Sequence, residues 1–309
     1  MYKKIDLEPF IEKVVQHRLN LFRVVVRQHG EVIGEFSFRN NRRVEIHSVS
    51  KSFTSIGVGI AVEEGILSLD EKPAEIFQEY LPDNPPQNLL DMTIRNMLTM
   101  TTGHDYLMLY GLERDYLGNR NWIDYVMKQP VPYKPGTHYQ YDNSGPYLIS
   151  VIMQKRTGQR FRDWLVPRLF DPLDIPNPQW GEDPMGHTIG CGGLILTTEE
   201  MSRLGQLCLN GGEYNGKRIV SADWIKEATS KQVENINPGE VINDKDLCAG
   251  YGYFFWRCAD FDAYRGWGGY QQNMIVLPQH DAVVATNAHE EYQNQMLLDF
   301  IWEEIVPQL

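Results

Sequence analysis

The chain has 309 residues, 42% of them hydrophobic and including seven Trp, enough to bury a sizeable core in one large domain or two small ones. A net charge of -12 leaves no basic footprint for a nucleic acid or an anionic membrane surface, so neither is expected as a partner. No apolar run approaches the length of a membrane span, and no apolar export core follows Met1-Tyr2-Lys3-Lys4, so a cytoplasmic location is expected.

In chain order, residues 21–27 and 32–38 are β-branched or aromatic runs joined at His29-Gly30, which predicts an antiparallel hairpin. Ser48-Val49-Ser50-Lys51 follows, opening a helix expected over 48–64 with Phe53, Ile56, Ile60 and Ala61 on one apolar stripe and Gly65 as its stop. The spacing places a hydroxyl and an amine on one helical face, the arrangement of a serine nucleophile with its own base. A plainer reading is a Ser N-cap with a solvated Lys, since roughly one S-x-x-K arises by chance in a chain of this length. Residues 66–185 alternate helical stretches with Pro- and Gly-rich loops, such as 81–86 and 171–178, and hold few convincing strands. Within them Tyr141-Asp142-Asn143 follows the turn signal Lys134-Pro135-Gly136, and Asp142 reads as a solvated turn residue. The same Y-x-N pattern recurs at Tyr292-Gln293-Asn294, there on a predicted helix and without matching context.

Thr197-Thr198-Glu199-Glu200 is a capping box opening a helix with Leu204, Leu207 and Cys208 on its apolar stripe, and Ser221 caps another. Residues 251–257, 262–265, 273–277 and 282–286 read as a meander of strands, with 290–305 as a terminal helix and Trp267-Gly268-Gly269 between two of the strands. Strands at both chain ends around a helical middle predict an α+β fold in which one antiparallel sheet is assembled from the two termini. Residues 1–309 then form one domain: a sheet-and-helix part, 1–65 and 186–309, with a helical part, 66–185, inserted.

Other chemistries lack their motifs. Cys191, Cys208, Cys248 and Cys258 show no C-x-x-C spacing, and the eight His contain no H-x-x-x-H pair, so free thiols and neither metal nor cofactor are expected. No G-x-S-x-G elbow exists to build a Ser-His-Asp triad.

S-x-x-K at Ser48, Y-x-N at Tyr141 and a Gly-containing strand triplet at Trp267, in that order, resemble the serine β-lactamase and penicillin-binding-protein superfamily, in particular class C β-lactamases and the esterases built on the same fold. Residues 97–103 and 192–207 are also similar to segments of these hydrolases, and the likeness covers about residues 20–305. It implies a β-lactamase/transpeptidase-like fold, antiparallel sheet flanked by helices with an all-helical insertion, and an acyl-enzyme on Ser48. Lys51 or Tyr141 would take the Ser48 proton, and Tyr141 would protonate the leaving group. Asn143 would hydrogen-bond Lys51 and a substrate carbonyl. Gly268 and Gly269 would let the substrate approach the strand, with the N–H groups of Ser48 and Tyr270 as oxyanion donors. The chain departs from the β-lactamases at Trp267, where they place Lys or, less often, His; an indole cannot supply that charge. W-G-G resembles the esterases, which take neutral acyl substrates, and Arg265 would provide a cation only if the register shifts by two. The expectation is therefore a carboxylesterase or small-amide hydrolase acting on a small-molecule acyl ester or amide. A β-lactamase or D-amino-acid peptidase is the first alternative, and a non-catalytic penicillin-binding-like sensor the second. Acyl-chain length and oligomeric state are not encoded in any motif.

Overall fold

A computed structural model of the chain describes residues 4–291 and 295–309. β1 (Leu21–Gln28) and β2 (Glu31–Ser37) join through His29 at φ 51° and Gly30 at φ 81°, the left-handed pair that a two-residue hairpin turn demands. The other edge of β1 pairs with the far end of the chain. β3 (Trp256–Arg257), β4 (Tyr264–Gly268), β5 (Gln272–Leu277) and β6 (Ala282–Ala288) complete a six-stranded sheet in the order β2-β1-β6-β5-β4-β3, every pair antiparallel. Alternation along β5 and β6 sorts the side chains by face: Met274, Val276, Val283 and Ala285 point inward, Ile275, Leu277, Ala282 and Val284 outward.

The outward face is covered by α1 (Glu8–Gln16), through Phe10 and Val14, together with Leu297, Ile301 and Ile305 of the C-terminal helix. The inward face carries α2 (Ser50–Glu63) and, after α3 (Ser144–Thr157), which packs on α2 within the helical middle, α4 (Thr198–Leu209), opened by the expected capping box at Thr197 and Glu200. One hydrophobic core runs continuously from this face into the helical middle of the chain.

Three expectations are corrected. α2 is buried from Ser50 to Ala61 on all sides rather than along one stripe, because it lies between the sheet and the helical middle. Two of its buried hydroxyls find backbone acceptors: Ser52 donates to Phe254 O at 3.1 Å and Thr54 to Gly190 O at 2.8 Å. Gly59 admits the Trp224 ring, which a Cβ would meet at 2.4 Å. Secondly, the strand read over 251–257 shrinks to Trp256–Arg257, because Phe254 adopts φ 62° and interrupts the ladder. Thirdly, the terminal helix starts at Met296 instead of 290, and Glu290 N–H donates to Tyr270 O at 3.3 Å. Tyr292-Gln293-Asn294 lies outside the described residues. Among the described residues no helix is long and apolar enough to cross a membrane.

Candidate active site

Ser48 sits in a single tight turn, His47–Val49, that leads into α2, and His47 takes the left-handed φ of 48° to make the entry. The hydroxyl caps nothing: the cap position belongs to Val49, which has no side-chain bond. Instead Lys51 Nζ lies 2.9 Å from Ser48 Oγ and 2.8 Å from the Cys191 carbonyl oxygen. Lys51 is 1% exposed, so these two acceptors replace water for an amine that could not otherwise stay buried. The solvated-lysine reading is thereby excluded.

The Y-x-N segment enters from the loop before α3. The Tyr141 ring lies under Lys51 Nζ, 4.9 Å from ammonium to centroid, while its hydroxyl bonds neither Ser48 nor Lys51 among the described residues. Asn143 is buried but does not bond Lys51 as expected. Its Nδ2 donates to Leu109 O at 3.2 Å and its Oδ1 has no partner, the Lys51 amine being taken up by Cys191, 140 residues further along the chain from Lys51. Asp142 is no solvated turn residue either. It is 1% exposed, accepts from the Met108 and Ser144 N–H groups at 3.0 and 3.1 Å, and also accepts from the Ser144 hydroxyl. Burial raises its pKa, against the pull of His104 and of those donors.

The opposite wall is β4 and the turn after it. Gly268 passes so close to the Ser48 turn that a Cβ would lie 2.5 Å from Ile46 O and 3.1 Å from Ser48 N. Tyr270 and Gln271 then adopt φ 61° and 66°, two successive left-handed non-glycine residues, a costly conformation at the rim of the site. The Tyr270 ring contacts His47 at 4.9 Å and stacks on His289 at 4.4 Å. His47, partly buried and with Glu45 3.4 Å away, has its pKa lowered chiefly by burial, with Glu45 opposing.

Trp267 stands upright on this wall. Its ring meets Trp256 edge-on at 5.4 Å, and the Arg265 guanidinium lies 5.4 Å from its centroid on the side away from the cleft lining. Arg265 is completely buried, and none of its three guanidinium nitrogens has a hydrogen-bond partner among the described residues. Trp267, and not Arg265, therefore lines the same cleft as Ser48.

Between the walls lies a cleft of about 360 Å³ lined by Ser48, Tyr141, Trp267, Gly268, Gly269 and Tyr270, with further aromatic and aliphatic side chains and two amides. No lining residue is charged. Residue-level reading missed Trp256, Tyr139, Tyr110 and Ile242 of this lining, and Cys191 beneath Lys51. Trp256 fell within a predicted strand without a signal for the side it faces, and the others come from loops where periodicity is silent.

An antiparallel sheet built from both chain ends, with a serine and a lysine one turn apart at the base of an enclosed helix, defines the class of β-lactamase-fold hydrolases. The β-lactamase family model matches residues 10–299, and the chain belongs to that family, whose members are serine hydrolases. The 6-aminohexanoate-dimer hydrolase of Paenarthrobacter ureafaciens is 23% identical over 84% of this chain and 70% of its own length. Penicillin-binding protein 4* of Bacillus subtilis is 28% identical over 48% of this chain, which spans only 32% of that protein. Among solved structures, the octameric penicillin-binding protein homologue from Pyrococcus abyssi shares the fold with a TM-score of 0.76 at 18% identity, covering 97% of this chain and 76% of its own.

Proposed function

We propose that this chain hydrolyses uncharged small-molecule acyl esters or small amides through an acyl-enzyme on Ser48. The observation that carries the reading is the pairing of a 2.9 Å Ser48–Lys51 contact with a cleft that has no charged lining residue and Trp267 in place of a cation. A buried carboxylate facing such a wall would be desolvated without a partner. That argues against β-lactam and D-alanyl substrates.

In the proposed mechanism an unprotonated Lys51 accepts the Ser48 proton as Oγ attacks the acyl carbon. The 2.9 Å separation is within reach of a proton transfer between Oγ and Nζ, whereas the Tyr141 hydroxyl makes no bond to Ser48. The oxyanion takes the N–H groups of Ser48 and Tyr270, a role supported by the close approach of Gly268 to Ser48 N. Collapse breaks the bond to the alcohol or amine, which leaves with a proton from Tyr141, and the Lys51 proton is passed on to restore the phenol. Water then cleaves the acyl-enzyme by the reverse proton path. Asn143, through Nδ2 on Leu109 O, holds the loop that supplies Tyr110 to the cleft. Amides stay within the proposal because the Paenarthrobacter relative is named for hydrolysis of a 6-aminohexanoate dimer.

Intact mass after a fluorophosphonate tests the nucleophile: one label on wild type and none on Ser48→Ala is expected, with loss of ester hydrolysis. A label on Ser50 or Ser144 would overturn it. Comparing kcat/KM for a p-nitrophenyl ester and a chromogenic cephalosporin tests the substrate class, and a preference for the cephalosporin would remove the neutral-substrate reading.

A further inference from the structure

We propose that the cleft takes a substrate whose apolar part is an extended alkyl or aryl group reaching beyond the pocket and across both of its lips. The inference rests on Ser48 being the nucleophile and adds the length and chemistry of what it acylates with. One lip is the loop that supplies Tyr110, 57% exposed, and runs on to Leu112, 84% exposed. The facing lip supplies Ile242, 40% exposed, and next to it Val241, also 84% exposed. Tyr110 and Ile242 thus line an uncharged cleft while staying exposed, with Leu112 and Val241 bare beside them in the chain, and exposed apolar side chains at the mouth of a site mark a binding face.

The lips are held, not loose. Leu109, beside Tyr110, accepts through its carbonyl from Asn143 Nδ2 at 3.2 Å and from Arg114 Nε at 2.6 Å. On the other side Asn237 grips both backbone groups of Tyr139, accepting its N–H at 2.9 Å and donating to its carbonyl at 2.8 Å. Both lips are thus tied to the same short segment, 139–143, that carries Tyr141. An apolar chain lying between them would be buried from Ser48 to Leu112 and Val241 without displacing a charged group, and the acidic chain as a whole disfavours an anionic occupant.

The test is a series of p-nitrophenyl acetate, butyrate, octanoate and decanoate on wild type and on the double variant Leu112→Asp, Val241→Asp, whose sites are too exposed for folding to suffer. In wild type kcat/KM is expected to rise with length, by up to about fourfold for each methylene buried, and to level off near octanoate. The double variant should lose about tenfold or more of its octanoate activity while acetate stays within about twofold, because only the long chain reaches the lips. Acetate as the best substrate, equal losses on both esters, or a changed oligomeric state with an unchanged length profile would overturn the proposal. If no ester is turned over, or turnover survives Ser48→Ala, it is the nucleophile assignment that fails. Binding of methyl octyl ketone, which cannot be hydrolysed, then decides the apolar cleft through the fluorescence of Trp256 and Trp267. Saturable binding weakened by the double variant supports the cleft, and no binding refutes it.

Discussion

The two walls of the cleft treat their buried charged groups in opposite ways. On the helix wall Lys51 has two acceptors, the half-buried Ser48 hydroxyl and the buried Cys191 carbonyl, and Asp142 has three buried donors. Across the cleft, Arg265 has three unpartnered nitrogens and Trp267 an unpartnered indole N–H, with only ring stacking between them. A satisfied buried network holds one geometry, which is what proton transfer between Ser48 and Lys51 requires. The strand wall is held mainly by aromatic packing, which fixes shape without fixing charge, and it is there that the chain departs from the β-lactamases. In the proposed mechanism, chemistry and substrate choice would therefore be carried by different physical means on the two sides.

Removing proton carriers from the helix wall should have the largest effect. Lys51→Ala and Tyr141→Phe are each expected to lower kcat by about two to four orders of magnitude in steady-state assays on a p-nitrophenyl ester. Near-normal activity in either variant would remove that residue from the proton path. The next contrast is one of stability and should change sign between the walls. Asp142→Ala leaves three buried donors without an acceptor and should cost about 2–3 kcal/mol in urea unfolding. Arg265→Met replaces an unpartnered buried cation with an apolar chain and should be neutral or add about 1–2 kcal/mol. Should Arg265→Met destabilise as much as Asp142→Ala, the guanidinium contributes through Trp267 and the contrast between the walls fails.

A smaller shift is expected from Trp267→Lys, which adds a cation to the uncharged wall. The ratio of ester to cephalosporin kcat/KM should fall by about tenfold, as one well-placed charge contact would allow. An unchanged ratio would show that the wall does not select against anions. The smallest effect belongs to His47. Its folded pKa is lowered, so the folded state binds the proton less readily than the unfolded chain. Its contribution to stability is present above the unfolded value near 6.5 and is lost as pH falls through the folded value. Thermal unfolding of wild type should weaken on acidification below that pH, and His47→Gln should flatten the slope.

What was legible in the chain was local. The hairpin about His29-Gly30, the capping box at Thr197 and the strands β5 and β6 depend on residues a few positions apart, and each formed within a residue or two of expectation. The Ser48–Lys51 contact belongs with them, because helical spacing alone brings positions i and i+3 together. Errors fell where distant segments decide burial. Asp142 looked solvated because nothing nearby in sequence announces that Met108 will donate to it. Asn143 was paired with Lys51 although Cys191 reaches the amine first.

By itself, then, the sequence determined the secondary elements, the order of the three motifs and the absence of a cation at Trp267, all properties of short windows. Tertiary structure alone decided that α2 is enclosed on every side, that Arg265 lies behind the indole rather than over Ser48, and that Tyr110 and Ile242 face each other across one cleft. The reason is physical: the environment of a side chain is set by what packs against it, and in a sheet closed by both chain ends those neighbours lie a hundred or more residues away.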